Sequence, residues 1–346
     1  MTSLQRIGGM MSRNEPLAAL INLQMGFLRS ACLYVVAKLE VADQLADGER
    51  TSDDIARRVK ANPEYLYRVM RLLASDGVFE EKADRVFALT PMSDLLRIQT
   101  KGSFQPFVVF NSETAFEAVL GLLGGVVEGH VPFEKRFGKH AFAWMQELPE
   151  RIALLERAWQ GIHWPETDAV LHGYDFFRIG RLADIGGGHG DVLIGYLAGG
   201  AQRSGVIFDA PQVAAQVRKR IAELGLSDRC DVVGGDFFKE IPVKADAYFL
   251  RHILHDWDDE ECIRILRNIA AAAQPGNRVL IAECLVKGPN VPDTGKLFDI
   301  EMMLFLTGRE RTVDEYRRLL EAAGFQYSGV TATSSIVSVV EGIYPG

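Results

Sequence analysis

Apolar residues recur at helical spacing through the first part of the chain. Between residues 16 and 46 they return every three or four positions, which predicts one or two amphipathic helices. Thr51 begins a segment typical of a helix N-terminus, and Asn62 followed by Pro63 begins the next helix, which extends to about Ser75. The pattern therefore predicts a helical start to the chain.

Two short strand-like runs follow and complete a winged helix-turn-helix pattern. Residues 78–80 and 86–89 are rich in strand-forming side chains, and a polar turn at 82–85 separates them. This motif often binds DNA, but here the wing carries Glu80 and Glu81, whose charge would repel phosphates. The pattern favours an interaction or dimerisation module over a DNA-binding one.

Residues 101–175 are helical in pattern and rich in aromatic side chains. Most of these rings are expected to pack in a core. Some are expected to line a pocket for a flat ligand, since aromatic rings stack on planar ligands. Trp144 is our candidate for that pocket.

From Arg181 onward, short apolar runs alternate with amphipathic segments. Helices are expected after the first, second and fourth of five strand-like runs, which lie at residues 182–185, 205–208, 230–233, 245–250 and 278–282. The alternation predicts a Rossmann-like, doubly wound α/β fold, a parallel sheet covered by helices on both faces. A further helix over 313–324 and strands within 326–344 would close one edge. Ligands bind such sheets at the carboxyl ends of the strands.

Composition and charge narrow the class of protein. The chain has 346 residues, 48% of them hydrophobic and 24% charged, as expected for a soluble globular protein with room for two domains. A net charge of −8 disfavours a general nucleic-acid or anionic-membrane surface. The four cysteines form no C-x-x-C pair, which predicts reduced thiols in a cytoplasmic protein. No apolar stretch is long enough to predict export or a membrane span.

A glycine-rich turn after the first of these five strands is the first candidate ligand site. Asp184 is followed closely by Gly186, Gly187 and Gly188. Glycines permit a tight turn and let a ligand approach the backbone N–H groups at the start of the next helix. Dinucleotides, phosphates and adenosyl compounds all use such turns, but the lysine of a P-loop is missing here.

The next two strand ends carry groups that suit a nucleoside. Asp209 closes the second strand, where ribose hydroxyls would donate hydrogen bonds. Asp236 and Phe237 follow the third strand and offer a carboxylate for an exocyclic amine and a ring for adenine. Each acid alone could equally be a helix N-cap. Three suitable strand ends in succession favour a nucleoside site.

The segment after the fourth strand completes a set of motifs that resembles a known family. These motifs lie at residues 184–190, 208–211, 235–238, 255–257, 282–283 and 308–312. Together they resemble the S-adenosylmethionine-dependent small-molecule O-methyltransferases, typified by plant caffeate, flavonoid and hydroxyindole enzymes and by bacterial enzymes that tailor aromatic secondary metabolites. The resemblance covers nearly the whole chain.

The resemblance implies an architecture for the whole chain. The expected architecture is a class I methyltransferase fold preceded by a helical and winged-helix dimerisation domain. The expected divisions are a dimerisation domain over 1–100, a connecting helical segment over 101–175 that contributes to the substrate pocket, and a catalytic domain over 176–346. The resemblance also implies a homodimer.

The same resemblance implies S-adenosylmethionine as cofactor. Its expected contacts are Asp184, Gly186, Gly187, Gly188, Asp209, Asp236, Phe237 and Arg251. Gly186 and its neighbours would hold the methionine part, and Asp209 the ribose hydroxyls. Asp236 and Phe237 would address the adenine, with Arg251 close to the cofactor.

By resemblance, His255 is the general base, and Glu283 and Glu310 orient it. The chemistry suits these residue types, because a sulfonium methyl is already activated and the enzyme need only align an oxygen and remove its proton. A histidine with a pKa of about 6.5 is neutral at pH 7 and can accept a phenol proton.

The expected substrate is a small aromatic metabolite such as a phenazine, polyketide or phenol. Its candidate contacts are Met302, Met303, Asp256 and Trp144. Residues 155–165 depart from the plant members, where this stretch is more often small and polar.

Three alternatives stay open at this point. His252 and His255 are one helical turn apart and, with Asp256, could hold a cation, although we assign no metal site. The chain could also be a hydroxylase or decarboxylase that binds S-adenosylmethionine, or a winged-helix regulator that responds to a ligand.

Overall fold

The computed structural model describes residues 15–346, which divide into two compact units. The first unit holds the described residues up to Thr114 together with Leu154–Gly161. The second holds Ala115–Ala153 and Ile162–Gly346. The chain therefore contributes two separate segments to each unit.

The first unit combines helices with a small antiparallel sheet. Its elements in chain order are α1 (Glu15–Gln24), α2 (Gly26–Lys38), β1 (Arg50–Thr51), α3 (Ser52–Arg58), α4 (Pro63–Ser75), β2 (Phe79–Glu81), β3 (Val86–Leu89), α5 (Pro91–Asp94) and most of α6 (Gln105–Val119). The sheet order is β1-β3-β2. Thr51 accepts a hydrogen bond from the N–H of Asp54, and Asn62 accepts one from Tyr65. Both predicted helix starts and the predicted wing are confirmed.

The core of this unit leaves one helix face uncovered. Val36, Ile55, Met70 and Phe87 are among its buried apolar side chains. Helix α1, in contrast, buries no residue, and most of its apolar side chains are exposed, including Leu17, Leu20, Ile21 and Leu23. The predicted apolar face of the first helix is therefore open in the single chain.

The second unit is built on a seven-stranded sheet. Its elements are α7 (Leu122–Glu128), α8 (Pro132–Phe137), α9 (Ala141–Gln146), α10 (Pro149–Gly173) without its Leu154–Gly161 segment, β4 (Arg181–Ile185), α11 (Asp191–Ala198), β5 (Ser204–Asp209), α12 (Pro211–Glu223), β6 (Cys230–Gly234), β7 (Ala247–Arg251), α13 (Asp259–Ala272), β8 (Arg278–Glu283), α14 (Gly295–Phe305), α15 (Val313–Ala322), β9 (Gln326–Ala332) and β10 (Ser338–Ile343). The strand order is β6-β5-β4-β7-β8-β10-β9.

Strands β4 to β8 are parallel, and β10 runs antiparallel between β8 and β9. Residues of β7 alternate between two buried layers, with Tyr248 and Leu250 on one face and Ala247 and Phe249 on the other. A sheet buried on both faces explains the continuous apolar runs in the sequence. The doubly wound α/β fold is confirmed.

The topology fixes where a ligand binds. The carboxyl ends of β4 to β8 share one edge because these strands are parallel. β4 lies between β5 and β7. From β4 the strand order continues outward to β5 and β6 on one side, and from β7 it continues outward to β8 on the other. Such a switch point opens a crevice at the carboxyl ends of the strands.

Among residues 15–346, no single helix is both long enough and apolar enough to cross a membrane. The pairs α1–α2 and α6–α7 reach the required length only when their two bent members are taken together.

Candidate active site

The loop after β4 requires glycine at two positions for different reasons. A Cβ on Gly187 would lie 2.8 Å from Cγ of Asp184, so a larger residue would displace that carboxyl. Gly188 has open space around it but a φ of +53°, a conformation that side chains disfavour. The loop therefore passes close to β4 and presents its backbone to the crevice.

Asp209, at the end of β5, is tied to this loop. Its carboxylate accepts hydrogen bonds from the N–H groups of Gly188 at 2.8 Å and Ala210 at 2.7 Å. Helix α12 starts at Pro211 with Ala210 in the capping position, so Asp209 is not its N-cap. This excludes the N-cap role for Asp209 and leaves its carboxylate at the position predicted for a ribose contact.

Asp184 fits a ligand with an amino group. Its side chain is buried, and Oδ2 has no hydrogen-bond partner among the described residues. Burial raises the pKa of its carboxyl to about 7, partly offset by Arg251. A buried acceptor without a donor is costly unless a ligand supplies one. The methionine part of S-adenosylmethionine carries such a donor.

Asp236 and Phe237 follow β6 in a local turn. Oδ1 of Asp236 accepts a hydrogen bond from the N–H of Phe238 at 2.9 Å, and the residue is exposed. The ring of Phe237 contacts those of Phe238 and Trp257 edge-on. Asp236 therefore has a local structural role as well as a place at the crevice, and Phe237 offers a partly exposed ring.

Arg251 ends β7 and is held by helix α10. Its Nη1 donates to Oγ1 of Thr167 at 2.8 Å and to the carbonyl of His163 at 3.2 Å. Burial lowers the pKa of the guanidinium, against the opposing effect of Glu166 and Asp184. The structure thus places Arg251 at the same sheet edge as Asp184, with its hydrogen bonds directed to α10.

His255 lies in a short 3₁₀ turn, Leu254–Asp256, directly after β7. Its ring is buried, and Nδ1 lies 2.7 Å from Oε1 of Glu310. Burial raises the pKa of the Glu310 carboxyl to about 8, because a charged carboxylate is disfavoured where water is excluded. When this carboxyl is ionised, Oε1 accepts the N–H of Nδ1, and the lone pair of a neutral imidazole is then on Nε2, on the opposite side of the ring.

Glu283 ends β8 and lies behind the same histidine. Its Oε1 accepts hydrogen bonds from the N–H groups of Ile253 at 3.1 Å and Leu254 at 3.0 Å. Its Oε2 lies 3.6 Å from Nδ1 of His255. Burial raises the pKa of Glu283, while His255, His252 and the N–H of Ile253 act in the other direction. Glu283 fixes the turn and faces the ring that would become an imidazolium.

Asp256 lies on the Nε2 side of the imidazole. Its Oδ1 is 3.5 Å from Nε2 of His255. Burial raises the pKa of Asp256 to about 6, and the adjacent His255 lowers it. Nε2 therefore faces a carboxyl that is mostly ionised at pH 7 and gains its proton at about one pH unit below neutrality.

The loop that carries Glu310 can approach the turn because of Gly308. A Cβ there would lie 1.9 Å from the carbonyl oxygen of His255, so only glycine fits. Arg311, fully buried, donates to the carbonyls of Leu254 at 2.9 Å and Trp257 at 2.8 Å. Sequence reasoning placed Arg311 in a motif but gave it no role; the structure shows that it anchors the turn of the histidine.

Two of the four predicted substrate residues, Met302 and Trp144, lie in an apolar cluster of the second unit. Met302 is buried there with Phe133, and Trp144 packs edge-on against Phe133 at 5.5 Å between ring centroids. The guanidinium of Arg151 lies 3.5 Å from the centre of the Trp144 ring. Met303 is half-buried on the same helix, α14. The structure thus brings Met302 and Trp144 together.

Sequence reasoning gives no role to three further residues beside His255. Oε2 of Glu166 lies 2.9 Å from Nε2 of His252, and the His163 ring stacks on that of His252 at 5.2 Å. The hydrogen bond joins residues 86 positions apart, which no local pattern reveals. The one available signal is the spacing of His163, Glu166 and Val170, which places them on one face of α10.

These residues also bear on the metal-site alternative. The donor atoms of His252, His255 and Glu283 lie within 4.8 Å of one another, as do those of His163, Glu166 and His252. Nε2 of His252 and Nδ1 of His255 already face carboxylates at hydrogen-bonding distance. A guanidinium on the residue before His252 adds positive charge that disfavours a cation. The arrangement favours an acid–base cluster.

Known proteins share this organisation. Residues 121–326 match the model of the O-methyltransferase domain, and residues 21–98 match that of the O-methyltransferase dimerisation domain. The chain is 38% identical to phenazine O-methyltransferase from Lysobacter antibioticus, over 94% of this chain and 96% of that protein. It is 33% identical to 8-amino-8-demethylriboflavin N,N-dimethyltransferase from Streptomyces davaonensis, over 93% and 92% of the two chains.

A solved structure agrees on the cofactor. The methyltransferase CalO1 of calicheamicin biosynthesis, in a form with S-adenosylhomocysteine bound, superimposes with a TM-score of 0.88 and 31% identity. The match covers 97% of this chain and 100% of that one. The cofactor is S-adenosylmethionine, and the regulator and hydroxylase alternatives find no support among these relatives. The chain therefore belongs to the S-adenosylmethionine-dependent O-methyltransferase family and is an enzyme.

Proposed function

We propose that the protein transfers a methyl group from S-adenosylmethionine to a hydroxyl of a small aromatic metabolite, with His255 as the general base. The observation that carries the proposal is the 2.7 Å contact between Nδ1 of His255 and Glu310, which leaves Nε2 for the substrate. A neutral imidazole there accepts the phenol proton while the oxygen gains the methyl group. Glu283 stabilises the imidazolium that forms.

S-adenosylmethionine, when bound, supplies a methyl group already activated on its sulfonium centre. We assign its contacts to residues at the carboxyl ends of β4, β5, β6 and β7: Asp184, Gly186, Gly187, Gly188, Asp209, Asp236, Phe237 and Arg251. The buried oxygen of Asp184 without a partner supports a contact with the amino group of the methionine part. The carboxylate of Asp209, held by backbone N–H groups, supports a contact with the ribose.

The proposed substrate is a planar, fused aromatic ring system that carries a hydroxyl. Similarity to enzymes named for a phenazine and a riboflavin derivative supports this class. We assign its contacts to Trp144, Met302, Met303 and Asp256. Aromatic and thioether side chains contact flat rings well, and the half-buried carboxyl of Asp256 lies beside Nε2, where the hydroxyl would enter.

We also propose a homodimer formed through the N-terminal domain, in the cytoplasm, without nucleic-acid or membrane partners. The match to the dimerisation domain and the uncovered apolar face of α1 support the dimer. The net charge of −8 and the acidic wing argue against nucleic acid.

The reaction type is tested by product mass. The enzyme is incubated with S-adenosylmethionine and 1-hydroxyphenazine, a hydroxynaphthoate or catechol, with phenazine itself as the matched control without a hydroxyl. We expect a gain of one methylene unit on at least one hydroxylated probe and no change in phenazine. A gain of one oxygen atom, or no product from any hydroxylated probe, would contradict the proposal.

A further inference from the structure

A second imidazole–carboxylate pair lies beside the histidine assigned as the base. His252 follows β7, and its Nε2 lies 2.9 Å from Oε2 of Glu166 on α10. Their side chains are only 11% and 2% exposed. His252 also has a φ of +53°, an uncommon conformation for a residue with a side chain. The surroundings therefore hold this ring in place, although the proposed reaction makes no use of it.

Glu283 links the two histidines. Its Oε2 lies 3.6 Å from Nδ1 of His252 and also 3.6 Å from Nδ1 of His255. Neither this oxygen nor Nδ1 of His252 has a hydrogen-bond partner among the described residues. Acids and imidazoles therefore alternate in a buried row: Glu166, His252, Glu283, His255 and Glu310.

The charge on His252 follows from the groups that face it. Burial lowers the pKa of the imidazole, but Glu166 and Glu283 outweigh this effect and raise it to about 9. Arg251 opposes the charge, and burial keeps the pKa of His163 well below its usual value, so that the stacked ring is neutral. The titratable and charged groups around His252 are His163 and Glu166 on α10, Arg251 on β7, Glu283 on β8, His255 and Asp256 on the 3₁₀ turn, and Glu310 on the following loop.

A positive charge on His252 affects the ionisation of Glu283, the acid behind the proposed base. Glu283 is fully buried, and burial alone favours its protonated form. A protonated Glu283 is neutral and cannot stabilise an imidazolium on His255 through charge. An imidazolium on His252, 3.6 Å away, adds positive charge that favours the ionised form of Glu283.

We propose that His252 is a positioning residue, held as an imidazolium by Glu166, that keeps Glu283 ionised beside the base. The inference rests on the proposed function, because it explains how His255 is supported when it takes up a proton. A merely structural role, in which the pair fastens α10 to the sheet, is the competing explanation. The two explanations predict a different dependence of kcat on pH.

The charge state is tested without a substrate. The full-length protein is labelled with ¹⁵N-histidine and titrated by NMR as wild type, Glu166→Gln and His252→Gln. We expect one histidine signal, missing from His252→Gln, to stay doubly protonated in the wild type up to about pH 9. In Glu166→Gln the same signal should titrate at lower pH. A His252 that is neutral at pH 7 in the wild type would overturn the inference.

The catalytic consequence is tested by turnover of 1-hydroxyphenazine across pH. At about pH 6, His252 is still protonated in Glu166→Gln, so the variant should approach the wild-type rate. As pH rises the variant should fall progressively behind, and the upper limb of its kcat profile should move down by about one pH unit or more. A deficit of the same size at every pH indicates a structural role and refutes the proposal.

A surface pair on the same helix provides a matched control. Asp168 and His172 lie 3.3 Å apart, and their side chains are 73% and 78% exposed. Asp168→Asn should leave the kcat profile unchanged. If Glu166→Gln does not fold, His252→Gln replaces it, because glutamine keeps the hydrogen-bonding capacity without the charge. This variant should have a lower kcat, and its kcat profile should lose the fall at high pH that the wild type owes to His252. Wild-type turnover across pH in His252→Gln would refute the role.

The two proposals can fail separately. If the wild type methylates no hydroxylated probe, the proposed function fails, and the NMR titration still decides whether His252 is charged. If the wild type methylates 1-hydroxyphenazine and the profile of Glu166→Gln parallels its own, the function stands and the role of His252 is refuted.

Discussion

Two histidines of this chain show how surroundings set the role of a side chain. His172 lies beside Asp168 on the surface of α10, where solvent screens the pair and its contribution is small. His255 is buried with Nδ1 against Glu310, and a second carboxylate lies behind it. Charge interactions are stronger where water is excluded. Burial and neighbouring acids, rather than residue type, thus distinguish the proposed base His255 from the surface histidine His172.

At the residue scale, Asp184 provides a test of cofactor binding. Asp184→Asn should weaken the affinity for S-adenosylhomocysteine, because the neutral amide keeps the shape of the side chain but loses its charge. Burial raises the pKa of Asp184 to about 7, so the wild-type carboxyl ionises as pH rises through that value. Affinity for a positively charged amino group should therefore rise with pH in the wild type and lose this dependence in the variant.

Isothermal titration calorimetry between about pH 6 and about pH 8 measures both effects. Asp228→Asn changes an exposed carboxylate in the same way and should leave the affinity unchanged. Equal affinity and equal pH dependence in Asp184→Asn and the wild type would remove Asp184 from the cofactor site.

The sequence was informative about residues that follow a strand and uninformative about partners on other elements. Asp184 and Asp209 could be placed at one edge because parallel strands end together. Glu166 could not be found in this way, because its partner His252 is 86 positions away. Arg311 was overlooked for the same reason, since the carbonyls that it binds belong to a turn more than 50 positions earlier.

At the element scale, local signals predicted helix starts and strands well. Helix α12 begins at Pro211, because proline suits the first turn of a helix. The order of the last strands was not predictable. β10 inserts between β8 and β9, where Val340 pairs with both Ile281 and Val330, and such pairing depends on contacts across the sheet.

Helix α1 leads to a prediction about assembly. Leu20 is 63% exposed on a helix that buries no residue in the single chain. If a second copy covers this face, Leu20→Glu should shift the dimer towards monomer, since a charge would be buried in an apolar contact. Size-exclusion chromatography with light scattering measures the mass of each species.

Leu224→Glu is the matched control for that experiment. Leu224 is 50% exposed after α12, in the second unit, and the variant should keep the mass of the wild type. A wild type that is monomeric, or a Leu20→Glu variant that remains fully dimeric, would show that α1 does not form the interface.

At the scale of the whole molecule, composition indicated only an ordinary soluble protein, and the family was indicated by several motifs taken together. Length alone suggested two domains, and the structure does contain two compact units. Their division was not visible in the sequence, because Leu154–Gly161 of α10 groups with the first unit while the rest of that helix belongs to the second. The unit to which a segment belongs is therefore set by its packing and not by its position in the chain.

The central claim is that His255 removes the substrate proton during methyl transfer, while other residues bind the cofactor. The most direct measurement is kcat of His255→Gln with 1-hydroxyphenazine and S-adenosylmethionine, together with the affinity of the variant for S-adenosylhomocysteine. We expect kcat to fall by about a hundredfold or more while that affinity is retained. Turnover close to that of the wild type, with the cofactor still bound, would contradict the claim.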